Sequence, residues 1–196
     1  MSYVAGLGTG LSLIVAIGAQ NAFVLKQGLT RQHVFWVCLF CAVSDAILVL
    51  LGVMGMVRIA TALPWLDQGM RWAGAMFLCW YGARSFRAAW RGINALQPAQ
   101  GSASLLSTLG VIAVLTWLNP HVWLDTVVLI GAISAQWPQP WIFGAGAVTA
   151  SFLFFFTLGY GARLLAPVFA RPRAWQVLEI AIGVIMWTIA LTLIAK

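Results

Sequence analysis

The chain has 196 residues, of which 62% are hydrophobic and 8% charged, with a mean hydropathy of +0.95. A water-soluble domain carries about 25% charged residues to wet its surface, which four acidic and eleven basic residues cannot supply here. Lipid is therefore the expected solvent, and the formal charge of +7 has to be judged by where it lies before it is taken as a sign of nucleic acid.

A run of about 20 apolar residues crosses the hydrocarbon core of a bilayer. In chain order the candidates are Val4–Leu25, Val34–Val57, Met70–Trp90, Leu105–Ile133, Trp141–Ala166 and Trp175–Ala195. The runs are continuous rather than alternating, which excludes a membrane β-barrel. The expectation is an all-α integral membrane protein of about six transmembrane helices. The first run has no basic segment before it and no small-residue cleavage site with mature protein beyond it, so it is read as a retained helix.

The first span carries Gly6, Gly8 and Gly10, and later Gly18-Ala19-Gln20-Asn21-Ala22-Phe23-Val24. The second holds Cys38-Leu39-Phe40-Cys41, Ser44-Asp45, Gly52 and Gly55. The glycines suit close helix approach, and the cysteines read as small buried thiols because no second pair or histidine set accompanies them. Pro64-Trp65-Leu66-Asp67-Gln68 is expected as an external turn with Asp67 solvated. The fourth run has 29 residues, roughly 44 Å at about 1.5 Å per residue, against the ~30 Å a straight span needs. Tilt is one way to take up the excess and a break at Asn119-Pro120 another, since proline removes an N–H and clashes with the preceding turn. The carbonyls so freed must find protein, water or solute. In the last span Glu179 lies near the interface, within reach of water.

Asn94–Ser104 is the polar linker of the chain. It divides a single transporter domain, residues 1–196, into a first half of three spans (1–93), a linker (94–104) and a second half of three spans (105–196). Three spans are an odd number, so the second half is expected upside down relative to the first, as in transporters built from inverted repeats. Gln20-Asn21 in one half and Asn119-Pro120 in the other mark corresponding helix breaks, and these four residues are expected to line a pathway.

An ionisable residue in the bilayer core costs roughly 2.5 to 3.5 kcal/mol on the lenient insertion scale. Asp45 has eleven residues of its span on one side and twelve on the other, too deep to reach water. Asp125 follows the second break, four residues after His121, which places the two on one face if the helix continues. Two intramembrane carboxylates suit a cationic solute or a coupling proton, an interhelical salt bridge or hydrogen bond being the structural alternative for each. His121 is a candidate proton relay, set against a plain hydrogen-bonding spacer.

The basic residues settle the charge question. Lys26, Arg31, Arg84, Arg87, Arg91, Arg163, Arg171 and Arg173 follow the first, third and fifth spans, whereas Arg58, Arg71 and Lys196 lie on the other side. Eight against three is a positive-inside pattern, with loops 1, 3 and 5 cytoplasmic, both termini outside and no need for nucleic acid. Metalloprotease, serine hydrolase and paired Cys/His signatures are absent from the sequence, so no enzyme, cofactor or metal is expected.

The stretches Gly18-Ala19-Gln20-Asn21-Ala22-Phe23-Val24-Leu25-Lys26-Gln27-Gly28, Ser44-Asp45 and Trp117-Leu118-Asn119-Pro120-His121-Val122-Trp123-Leu124-Asp125-Thr126 resemble the LysE family, together with Trp80-Tyr81-Gly82 and Met186-Trp187. The resemblance runs through essentially the whole chain. It implies secondary export of L-arginine or L-lysine across the bacterial inner membrane, powered by the membrane potential or a proton gradient. Gly18-Ala19-Gln20-Asn21 departs from the Pro-Gly-Pro-Asn version of the branch that exports neutral amino acids. An exporter of the homoserine/threonine type is the alternative, and a non-transporting assembly protein a further one. The glycine-rich faces are a candidate homodimer surface.

Overall fold

Proline marks where four of the helices begin. Pro64, Pro120, Pro140 and Pro172 each take the first position of a helix, where the missing N–H would have had no partner. The structure, a computed structural model, describes residues 1–15, 18–55, 64–90, 104–165, 167 and 172–195, and for residues 64–71, 73, 74, 120, 121, 172 and 193 the backbone alone. Within these lie α1 (Ser2–Ile14), α2 (Ala19–Thr30), α3 (Val34–Val53), α4 (Pro64–Trp90), α5 (Leu105–Trp117) and α6 (Pro120–Trp123). A wide-turn π segment (Leu124–Leu129) and α7 (Ile130–Ser134) follow, then α8 (Pro140–Gly161), which tightens into a 3₁₀ turn at Ala162–Leu165, and α9 (Pro172–Ile194). No strand occurs among the described residues.

The first expected span is two helices, α1 and α2, whose axes diverge by 83°. The fourth is also interrupted: α5 closes at Trp117, Leu118 and Asn119 leave the helix, and α6 starts at Pro120. The segments on either side, Leu105–Trp117 and Leu124–Ser134, are too short to cross a membrane alone. Among the described residues Val34–Val53, Pro140–Leu165 and Arg173–Thr192 are long and apolar enough to do so, and the bent α1–α2 pair makes a fourth candidate. α4 has the length, 27 residues, but Arg84 and Arg87 near its end lower its apolarity. Its first turn occupies Pro64–Gln68, which the sequence suggests as a turn outside the helix; the Asp67 side chain lies outside the described residues, as do positions 91–103, where all but the last residue of the expected linker falls.

α8 is the centre of the packing, with α1, α2 and α3 against it, while α4 pairs with α9. Backbones approach closely at the first of these contacts because side chains are missing there. A Cβ at Gly6 or Gly10 would meet the backbone of Phe143 or Ala147 on α8, and one at Gly146 would meet the Tyr3 carbonyl on α1. Gly52 on α3 likewise faces the carbonyls of Thr126 and Val127. Gly8 and Gly55 face open space, so the close-approach reading holds for Gly6, Gly10 and Gly52 and not for those two. Gly55 instead takes φ +80 in the turn that ends α3. Between α4 and α9, Gly82 lies under Trp187 and Gly183 under Phe86. The Phe86 and Trp187 rings meet edge-on at 5.1 Å, and the Trp187 indole N–H donates to the Cys79 carbonyl at 3.1 Å. Trp80-Tyr81-Gly82 and Met186-Trp187 are thus two sides of one helix contact.

Gly6→Val is expected to destabilise the protein by about 1–3 kcal/mol or more through overpacking, and Gly8→Val to be tolerated. Thermal melting of the detergent-solubilised protein, followed by size-exclusion chromatography, compares the two.

Candidate functional site

Both helix breaks are closed by a side chain of their own segment. At the first, Gly18 is extended (φ −112, ψ 175) and α2 begins afresh at Ala19. The Asn21 side-chain amide reaches back across the break and donates to the Ile14 carbonyl at 2.7 Å, one of the acceptors α1 leaves without an intrahelical donor. The next residue back points inward: Gln20 is 7% exposed, and its Nε2 has no hydrogen-bond partner. It lies beside the Cys41 thiol of α3. A thiol is at best a weak acceptor, so the buried amide keeps capacity for a stronger one. The first N–H groups of α2 add partial positive charge at the same end of the helix.

At the second break the Trp123 indole N–H donates to the Trp117 carbonyl at 3.0 Å, and the two rings stand edge-on at 5.9 Å. Asn119 is 7% exposed, and its carbonyl accepts from the Val122 N–H at 3.1 Å. The helix then widens to i→i+5 bonding over Leu124–Leu129, with the Ile130 N–H on the Asp125 carbonyl. Such single-turn π segments occur often at functional sites. Asp125 lies within this one, half-buried. The Thr126 hydroxyl donates to the Val122 carbonyl, occupying an acceptor the widened turn exposes.

α3 runs between these features. Asp45, 3% exposed, accepts from the Ser151 hydroxyl of α8 at 2.7 Å, the interhelical hydrogen bond anticipated as its structural alternative. Its neighbour Ser44 accepts from the Trp117 indole at 3.2 Å. Two successive residues of α3 therefore hold α8 on one side and the second break on the other. Cys41, one turn before Asp45 on α3, is the residue beside Gln20 of α2, so α3 meets α2 and α8 within one turn of its length. Asp125 belongs to the π segment, which packs on α3 through Gly52. Cys38 donates to the Phe155 carbonyl at 3.2 Å, a buried thiol as expected. The side chains of Pro120 and His121 lie outside the described residues, and the relay expected at His121 lies there with them.

One pair was missed at the level of sequence. Lys26, placed by hydropathy in a loop, lies within α2, and Glu179, expected within reach of water, is 8% exposed. They form an ion pair of 2.5 Å between α2 and α9. A signal existed: Glu179 is the chain's single glutamate and Lys26 one of its two lysines, and a carboxylate inside an apolar run needs a partner.

An all-helical bundle with long apolar helices, two interrupted helices and buried carboxyl groups defines a membrane transport protein. The family model for LysE-type translocators matches residues 11–196, and the chain belongs to that family, as its motifs suggested. "Putative amino-acid transporter YggA" of Aeromonas salmonicida is 40% identical over 191 residues, covering 96% of this chain and 93% of that protein. "Arginine exporter protein ArgO" of Escherichia coli (strain K12) is 38% identical over 198 residues, covering 97% and 92%. "Putative amino-acid transporter Rv0488" of Mycobacterium tuberculosis (strain H37Rv) is 40% identical over 185 residues, covering 94% and 92%. No solved structure matches the chain.

Ser151→Ala removes the donor to Asp45 and is expected to lower stability by about 1–3 kcal/mol, read as a fall in the melting temperature of the solubilised protein.

Proposed function

We propose that this protein is a secondary exporter of basic amino acids, L-arginine, L-lysine or both, from the cytoplasm across the bacterial inner membrane. The observation that carries the reading is Asp45, a carboxyl group buried midway along a membrane helix and flanked by two interrupted helices. Its cost in hydrocarbon is offset when a cation or proton binds there. The similarity to an arginine exporter over 97% of the chain supports the same substrate class. In this reading Asp45 and Asp125 bind the cationic side chain or the coupling proton, and Gln20, Asn21, Asn119 and Pro120 line the path. The orphan amide of Gln20 and the start of α2 suit the carboxylate of the solute.

Six spans in two inverted halves, 1–93 and 105–196, account for the packing. α1 and α2 of the first span lie against α8, the fifth, and α5, the π segment and α7 of the fourth span lie against α3, the second. Exchanging the halves turns one contact into the other, and α3 with α8 and α4 with α9 are then self-paired. Rocking of one half against the other gives alternating access. The end of the bundle that brings Arg31 and Arg163 to one surface hollow is the cytoplasmic end by the positive-inside rule, with both termini at the other. Reporter fusions in the 94–104 segment should report cytoplasm; a periplasmic signal would reverse the orientation.

Radiolabelled arginine and lysine efflux from loaded cells tests the function. Asp45→Asn and Asp125→Asn are each expected to slow efflux about tenfold or more, equivalent to ~1.4 kcal/mol, at normal expression. Full efflux in both variants rejects the carboxylate mechanism. Failure on both basic amino acids with transport of threonine would assign the protein to neutral amino acids instead.

A further inference from the structure

The Glu179 side chain is 11% exposed and carries its charge eight residues into α9, while Lys26 lies four residues short of the end of α2. The pair is thus roughly 6 to 10 Å inside the bundle at about 1.5 Å per residue, at the end where Arg31 and Arg163 emerge. Its geometry is lopsided. The Lys26 ammonium engages Oε1 alone, and the buried Oε2 has no hydrogen-bond partner. An ammonium is a point charge, whereas a guanidinium presents a planar fork that fills both oxygens of a carboxylate. A static tie would gain by satisfying Oε2, since a buried orphan acceptor on a charged group costs more than a neutral one. Spare acceptor capacity at a carboxylate is what a site needs when its better ligand comes from outside.

We propose that Glu179 is a loading-side carboxylate for the guanidinium of the exported amino acid, and that Lys26 occupies it as a tethered stand-in between transport cycles. The proposal rests on the basic-amino-acid reading above and adds to it a second carboxylate site, on α9 rather than α3. Lys26 is 26% exposed at its side chain, so it has room to withdraw toward the aqueous rim when the solute arrives. Because α2 belongs to the first half of the chain and α9 to the second, exchanging Lys26 for solute removes a link between the halves at the moment of loading. Arginine, which fills both oxygens, is favoured over lysine, which repeats the one-oxygen contact that Lys26 already makes.

The test uses the purified full-length protein in proteoliposomes, with initial efflux rates measured against internal arginine or lysine concentration. Removing the competitor raises apparent affinity by the inverse of the free-site fraction. Lys26→Met and Lys26→Gln are therefore expected to lower the half-saturating arginine concentration about three- to tenfold. Glu179→Gln is expected to raise it by a similar factor and to abolish the preference for arginine over lysine. A half-saturating concentration that is unchanged or raised in both Lys26 variants overturns the proposal. So does a charge exchange, Lys26→Glu with Glu179→Lys, that restores wild-type kinetics, because an ordinary structural pair survives reversal and a substrate site does not. Should the Lys26 variants prove unstable, arginine-dependent thermal stabilisation replaces kinetics. A larger shift with arginine in Lys26→Met than in the wild type supports the exchange, and an equal or smaller one rejects it. Wild-type protein that transports neither arginine nor lysine refutes the functional reading itself, whereas wild-type transport with an indifferent Glu179→Gln refutes this inference alone.

Discussion

In hydrocarbon no water stands ready to bond a carbonyl or an N–H that a helix releases, and that constraint shapes every unusual feature of this bundle. Where α1 gives way to α2, the Asn21 amide takes up the Ile14 carbonyl; where α5 gives way to α6, the Trp123 indole takes up the Trp117 carbonyl. Each break is thereby closed with a donor from its own restarted helix. A break with no such donor would leave an acceptor in lipid at a cost of several kcal/mol. The breaks persist because these bonds exist, and they in turn set helix ends in the interior, where the proposed pathway runs.

The remaining structure holds those ends in place. α3 carries Ser44 toward the second break and Asp45 toward α8, so one helix registers both. α8 can approach α1 closely only because Gly6, Gly10 and Gly146 carry no side chain at the crossing, the device by which membrane helices gain packing without a hydrophobic driving force between them. The contact of α4 with α9, built on Gly82, Trp187, Phe86 and Gly183, stands apart from α1 and α8.

Charge is concentrated where it can act. Among the described residues Asp45 meets a hydroxyl rather than a cation, and in the proposed mechanism this leaves it open to a proton or a cationic group. Glu179 meets a cation and still retains an unfilled oxygen. In the proposed mechanism a basic amino acid meets one carboxylate near the cytoplasmic rim and another at mid-membrane, so the desolvation of its charge is divided between two steps.

Much of this was legible in the order of the residues alone. Continuous apolar runs, a scarcity of charge and the clustering of arginines determine a helical membrane protein, because lipid admits only helices and closed barrels and a barrel needs alternating strands. Asn119-Pro120 announces its break through the missing N–H, and Asp45 announces the need for a partner through the cost of its burial. The partners of those groups were not legible. Ser151 stands 106 positions from Asp45, and Glu179 stands 153 from Lys26; hydropathy sees each residue only among its neighbours. Nor does periodicity distinguish a regular helix from the widened turn that holds Asp125, since the difference is one residue in the hydrogen-bond step. Sequence determined which groups are costly in a membrane; only the tertiary structure decided what each is matched with, because matching is a property of helices brought together and not of any one of them.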